Sequence, residues 1–213
     1  MLLVLVRHGE SVGNLENRLQ GHEDYDLTEL GQRQAALTAV RLAELGVIAL
    51  YSSPLLRAMS TARTIAQRLR VEPRSMPSVA EYHFGEMAGA TYAEVRQRFS
   101  ATVGAAERVY PGEEGREVFH ERVTKGIWSV IDAHADRTVA VVSHGGPIAL
   151  FCQTVLGLPY RRPMPFAIGN CSLSLIEVPE AGAREPVLVR LNDLCHLFAA
   201  SPDDELADEA DRV

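Results

Sequence analysis

Two histidines, each at the end of an apolar run, define the chemistry open to this chain. Residues 2–6 (LLVLV) lead straight into Arg7-His8-Gly9-Glu10, and residues 138–142 (TVAVV) lead into Ser143-His144-Gly145-Gly146. An arginine is a permanent planar cation whose fork fits a carboxylate or phosphate. An imidazole is a nitrogen nucleophile or base close to neutral pH. Gly9 would let a ligand come close to the backbone. One histidine after a strand could merely satisfy the strand end, but two matched endings aim His8 and His144 at one place and, with Arg7, suggest an oxyanion site.

The elements that must position these residues follow from the pattern around them. Short unbroken apolar runs suit strands buried on both faces of a parallel sheet, and such sheets hold ligands at their carboxyl ends. Further strands are expected at 47–51, 71–76, 172–178 and 187–191. Thr28 and Glu29 open a helix that Gly46 closes, with Leu30, Ala36, Leu37, Val40 and Ala43 expected on one side. Ser52-Ser53-Pro54 reads as a cap before a helix reaching about residue 69, with Arg57 in its first turn, where an arginine would ordinarily lie at the surface. A short helix is expected over 92–99, with Arg96 and Arg98 on it. Phe119, Val123, Ile127, Val130 and Ile131 mark a long amphipathic helix over 116–134, and another helix should follow His144 over 147–156. Residues 11–26 read as a loop or short helix over the site, and residues 100–115 as an irregular segment able to act as a lid. Strand and helix alternate, which predicts an α/β fold with a mostly parallel sheet covered on both faces.

Bulk composition narrows the function classes. The 213 residues suit one domain over 1–200, followed by a disordered acidic tail over 201–213. That tail carries −5 of the formal charge of −7, so the body is nearly neutral and lacks the basic footprint of a nucleic-acid binder. No apolar run approaches the roughly 20 residues of a membrane span, and the apolar start is too short for a signal peptide, so a cytoplasmic protein is expected. Cys152, Cys171 and Cys195 are odd in number and without CxxC spacing, and read as reduced, buried thiols.

Taken in order, Arg7-His8-Gly9-Glu10, Ser52-Ser53-Pro54-Leu55-Leu56-Arg57-Ala58 and Ser143-His144-Gly145-Gly146 resemble the histidine phosphatase superfamily, in its phosphoglycerate mutase-like branch. The resemblance extends through Leu27-Thr28-Glu29-Leu30-Gly31, Glu81 with Phe84-Gly85, Pro111-Gly112, and Leu191-Asn192-Asp193 with His196. It implies a three-layer α/β/α sandwich in which His8 is phosphorylated during turnover and Arg7, Arg57 and His144 complete the phosphate pocket. By the same resemblance Glu81 is the proton donor, Asn14 a phosphate contact, Gln20 and Gly21 part of the binding loop, Gly145 a neighbour of the phosphate, and His196 structural. His22, Tyr25, Tyr82, His83 and Arg96 are the expected pocket wall. The chain departs from many relatives at Met87 and Ala88, where a tryptophan and an acidic or amide residue are common, and at Glu113, which replaces a common glycine.

Residue chemistry supports the same reading. Charge on a transferring phosphoryl group spreads over its equatorial oxygens, which two arginine forks and a histidine donor can stabilise without a metal or other cofactor. Arg7 and Arg57 would keep His8 neutral, hence nucleophilic. Glu81 would start protonated, give its proton to the leaving oxygen, and then draw one from the attacking water. The expected substrate is a small phosphorylated metabolite, and the resemblance leaves a homodimer open. One alternative is a 2,3-bisphosphoglycerate-dependent phosphoglycerate mutase; relatives of that type carry a longer insertion with paired arginines, whereas only 62 residues separate Glu81 from His144 here. Another is a non-catalytic phosphate-binding regulatory module. A metal-dependent hydrolase is a third, with His8, Glu81 and His144 as ligands, but no HExxH or comparable spacing occurs.

Overall fold

The computed structural model describes residues 1–98, 110–159, 165–179 and 185–198. Their centre is a six-stranded sheet in the order β3-β2-β4-β1-β5-β6, made of β1 (Leu2–Arg7), β2 (Ala49–Ser52), β3 (Pro73–Ser75), β4 (Thr138–Ser143), β5 (Leu173–Glu177) and β6 (Val187–Asp193). The first four strands are mutually parallel, and β5 runs antiparallel between β1 and β6. The sheet is therefore mostly parallel, with a reversed strand toward one edge.

Alternation along the central strands divides the core into two layers. Leu3 and Leu5 of β1 with Val139 and Val141 of β4 pack against α5 (Arg116–Asp132) and α6 (Gly145–Val155), burying Phe119, Val123, Ile127, Ile148 and Phe151. Val4, Val6, Ala140 and Val142 face the other way, onto α2 (Glu29–Glu44) and α3 (Leu56–Leu69). Full burial of a side chain such as Phe119 contributes about 1.5–3 kcal/mol, and the stripe read on α5 is buried throughout. Helices on both faces complete the three layers. Among the described residues no helix is long and apolar enough to cross a membrane.

The expected face of α2 is corrected by the structure. Its buried residues are Gly31, Ala35, Thr38, Ala39 and Leu42, while Leu30 and Val40 are exposed. The inner face is built of small residues because the helix start lies directly on the chain after β1. A Cβ on Gly31 would fall 2.0 Å from the Glu10 carbonyl oxygen, and one on Gly9 would fall 2.5 Å from that of Gly31. Gly9 thus admits the backbone of α2 rather than a ligand. Thr28 caps the helix as expected, accepting from the Gly31 N–H.

Register brings the two histidines together. β1 pairs with β4 from Leu2↔Thr138 through Arg7↔Ser143, so His8 and His144 leave the carboxyl edge side by side. Two other short helices lie among the loops, α1 (Val12–Leu15) and α4 (Tyr92–Arg98). Cys152 and Cys171 are buried, which pushes both thiols up to about 12, whereas Cys195 is exposed, contrary to expectation. Most of the expected lid, residues 180–184 and the tail lie outside the described residues.

Candidate active site

His8 sits at the centre of the site and is buried. Its Nδ1 lies 2.7 Å from the Gly9 carbonyl oxygen. A carbonyl only accepts, so Nδ1 carries the proton and Nε2 keeps a lone pair. Burial, then Arg57, then Arg7 hold the imidazole well below its ordinary pKa, so it is neutral. Its backbone is fixed by the His8 N–H donating to Ser143 O and by Asn170 Nδ2 donating to His8 O.

Arg57, in the first turn of α3, is 1 % exposed despite its charge. Its Nη2 and Nη1 donate to the carbonyl oxygens of Gly21 (2.8 Å) and Glu23 (2.9 Å), and its Nε to His8 Nε2 (3.3 Å). The loop after β1 therefore aims this guanidinium at the nucleophilic nitrogen. Burial lowers Arg57 to about 10, which leaves it charged at neutral pH. Arg7 donates through Nη1 to Ile168 O, while its buried Nε has no partner among the described residues.

His144 lies with its ring centroid 5.1 Å from that of His8. Its Nε2 is 2.8 Å from Ser53 Oγ. Ser53 Oγ also accepts from Leu55 N, and when its own hydrogen points to Nε2 the imidazole proton falls on Nδ1. That buried Nδ1 is without a partner among the described residues. Ser53, read from sequence as a helix cap, thus orients His144, and Leu55 takes the cap position of α3 without a side-chain bond. Buried donors without acceptors are uncommon and cost free energy. Arg7 Nε and His144 Nδ1 are two such buried, unpartnered nitrogens beside a neutral histidine.

Glu81 lies beside this cluster, its charge acting on both Arg7 and Arg57. Its Oε1 accepts from Tyr82 N (2.8 Å) and its Oε2 from Gly146 N (3.2 Å), in the first turn of α6. A Cβ on Gly146 would fall 2.1 Å from Glu81 Oε1, so the residue must be glycine for the carboxylate to dock; Gly145 is free of that contact, its nearest neighbour being Arg7 Nε at 4.0 Å. Asn14 Oδ1 is taken by Ser11 and Asn170, turning its amide nitrogen to other acceptors. Gln20 is buried and receives Ser11 Oγ through its Oε1. It braces the loop.

The expected pocket wall is partly corrected. His22 donates from Nε2 to Glu81 O (2.7 Å) and meets His83 edge-on, ring centroids 4.9 Å apart, so both lie at the rim. Tyr25 is close enough to Arg57 to act on its charge. Tyr82 does not line the pocket: it is fully buried, with its ring against Phe84 and Phe119. Arg96 is exposed on α4. Tyr92 on the same helix, 52% exposed as a whole residue, was missed by reasoning from sequence: partial burial raises its phenol, Glu81 raises it further and Arg7 opposes, which puts it within electrostatic reach of the site. His196 bonds Thr38 Oγ1 (3.0 Å) and sits away from the cluster. Among the described residues no three His, Cys, Asp or Glu side chains are grouped to hold a metal ion.

The depressed histidines predict a pH dependence of stability. Both His8 and His144 lie well below the ordinary value of 6.5 when folded. Below that value the unfolded chain binds protons that the folded one refuses, so their contribution is complete above it and is lost as pH falls toward the folded values. Each can cost up to about 1.4 kcal/mol per pH unit. Chemical denaturation from about pH 8 to about pH 5.5 is expected to show falling stability, and His144→Asn to flatten the slope. Stability that rises over this window would contradict the neutral, buried assignment.

Fold and site together define an α/β protein that gathers two histidines and two arginines at the carboxyl edge of its sheet. The chain belongs to the histidine phosphatase superfamily (branch 1), whose family model matches residues 3–194. It is 35% identical over 201 residues to phosphoserine phosphatase 1 of Hydrogenobacter thermophilus, covering 92% of this chain and 93% of that protein. It is 32% identical over 210 residues to a probable phosphoglycerate mutase, GpmB, of Escherichia coli, with 94% and 96% covered. Among solved structures, a mycobacterial glucosyl-3-phosphoglycerate phosphatase superposes with a TM-score of 0.79 at 28% identity, covering 90% of this chain and 98% of that one.

Proposed function

We propose that the protein is a phosphomonoester phosphatase working through a phosphohistidine at His8. The observation that carries this reading is the neutral imidazole with Nδ1 tied to Gly9 O, set among guanidinium groups and two unpartnered buried nitrogens. His8 Nε2 attacks phosphorus as the bond to the leaving oxygen breaks, and Glu81 supplies the proton that oxygen needs. Arg7, Arg57 and His144 hold the equatorial oxygens, with Asn14 and the first turn of α6 at Gly145 beside them. Water then attacks the phosphohistidine, gives its proton to Glu81, and inorganic phosphate leaves.

The relatives' names support a phosphorylated hydroxyl compound of metabolite size as substrate. Hydrolysis over mutase chemistry is supported by the span of only 62 residues between Glu81 and His144, where relatives of the mutase type carry a longer insertion with paired arginines. Composition and free thiols support a cytoplasmic setting, without nucleic-acid or membrane partners, and the family resemblance supports a homodimer. A panel of phosphorylated metabolites assayed for released phosphate, beside a phosphoglycerate isomerisation assay, tests the reading. Phosphate release that survives a chelator is expected. Isomerisation with no release from any monoester would overturn it.

A further inference from the structure

We propose that Arg122 and Glu114 form a clamp that positions Glu81 for proton transfer, a role resting on the proposed phosphatase reading. Arg122 projects from α5 and spends all five of its N–H donors. Nε and Nη2 form a fork on Glu114, at 2.7 Å to Oε2 and 2.7 Å to Oε1. Nη1 donates to Ser78 O and Ala80 O, each at 2.8 Å, and Nη2 also donates to Glu81 O at 2.9 Å. The guanidinium lies over the Phe119 ring, 4.9 Å from its centroid. Glu114 completes the enclosure, since its Oε1 accepts from His83 N (2.8 Å) and its own N–H donates to His83 O (3.2 Å).

The backbone is thus held at 78, 80, 81 and 83, on both sides of the proton donor. A plain ion pair between a helix and a loop needs only the fork on Glu114. Here the remaining donors converge on the carbonyls of one short segment, and that segment carries Glu81. The same Glu81 carbonyl accepts from His22, the residue directly after the loop anchor Gly21, so the clamp also ties the acid to the loop that aims Arg57. Lysine cannot replace this arrangement, because a single ammonium lacks the planar five-donor fork. Arg122 faces backbone and Glu114, so it is a positioning residue, not a catalytic one.

The test is a double-mutant comparison in single-turnover phosphorylation of His8, using an alkyl phosphomonoester and p-nitrophenyl phosphate in parallel. Arg122→Met and Arg122→Lys are each expected to slow phosphoryl transfer from the alkyl ester by about tenfold to a hundredfold, as misplacement of a reacting group does. The nitrophenyl ester, whose leaving group needs no proton, is expected to lose much less. In a Glu81→Gln background the Arg122 substitutions should add almost nothing. Where they lower the yield of folded protein, Glu114→Gln makes the same comparison. Equal losses on both esters, or a full Arg122 effect without Glu81, would overturn the clamp. Failure of the unsubstituted protein to label at His8 would instead overturn the phosphatase reading beneath it.

Discussion

Replacing His8 with alanine is expected to lower kcat by at least ~10⁴-fold while leaving the protein folded, because the substitution removes the atom that forms the covalent bond. Arg57 keeps its contacts to Gly21 and Glu23, and Arg7 keeps its contact to Ile168, so the phosphate cage survives the loss of the ring. KM for a phosphomonoester is therefore expected to change far less than kcat. Steady-state kinetics on purified variant and parent, with circular dichroism to compare folding, make the check. Activity within tenfold of the parent would exclude His8 as nucleophile, since neighbouring imidazoles could not replace it without rebuilding the pocket.

The second large effect is expected at Glu81. Glu81→Gln preserves the shape of the side chain and an oxygen for Gly146 N, but removes the group that transfers the proton. General acid–base catalysis of this kind is worth about 10² to 10⁴ in rate. The loss is expected to depend on the leaving group, near the top of that range for an alkyl phosphate and much smaller in the first half-reaction of a nitrophenyl ester. Because Glu81 also serves the attack of water, the nitrophenyl ester should give a burst followed by slow turnover. A uniform loss across leaving groups, with no burst, would assign Glu81 to binding instead.

The central geometry was legible because it is written in short-range patterns repeated at two places. An apolar run followed by a histidine and glycine marks a strand end, and parallel pairing of β1 with β4 sets the two ends side by side. Arg57 was less legible: an arginine in a helical turn looks like a surface residue, and only the loop carbonyls of Gly21 and Glu23 explain its burial. Tyr82 was misplaced because it follows Glu81 directly. In an extended segment successive side chains point to opposite sides, so the neighbour of a residue facing the pocket faces the core.

Other parts left weaker signals. Arg122 stands three residues after Phe119 and directly before Val123, on a helix whose apolar stripe it interrupts, and an arginine inside a buried stripe was the available hint. Its partners at 78–81 and Glu114 come from segments with no shared motif, so only the tertiary fold joins them. The inner face of α2 was hidden for a different reason. Hydrophobicity singles out the large Leu30, Leu37 and Val40, but close approach to the chain after β1 selects Gly31, Ala35 and Thr38 instead.

The most direct test of the account is rapid quenching under alkaline conditions during turnover of a phosphomonoester, followed by peptide mapping of the labelled protein. One phosphoryl group on His8, stable to base, labile to acid and more abundant in Glu81→Gln with the nitrophenyl ester, is the predicted result. Turnover with no label on His8, or with the label on another residue, would contradict it.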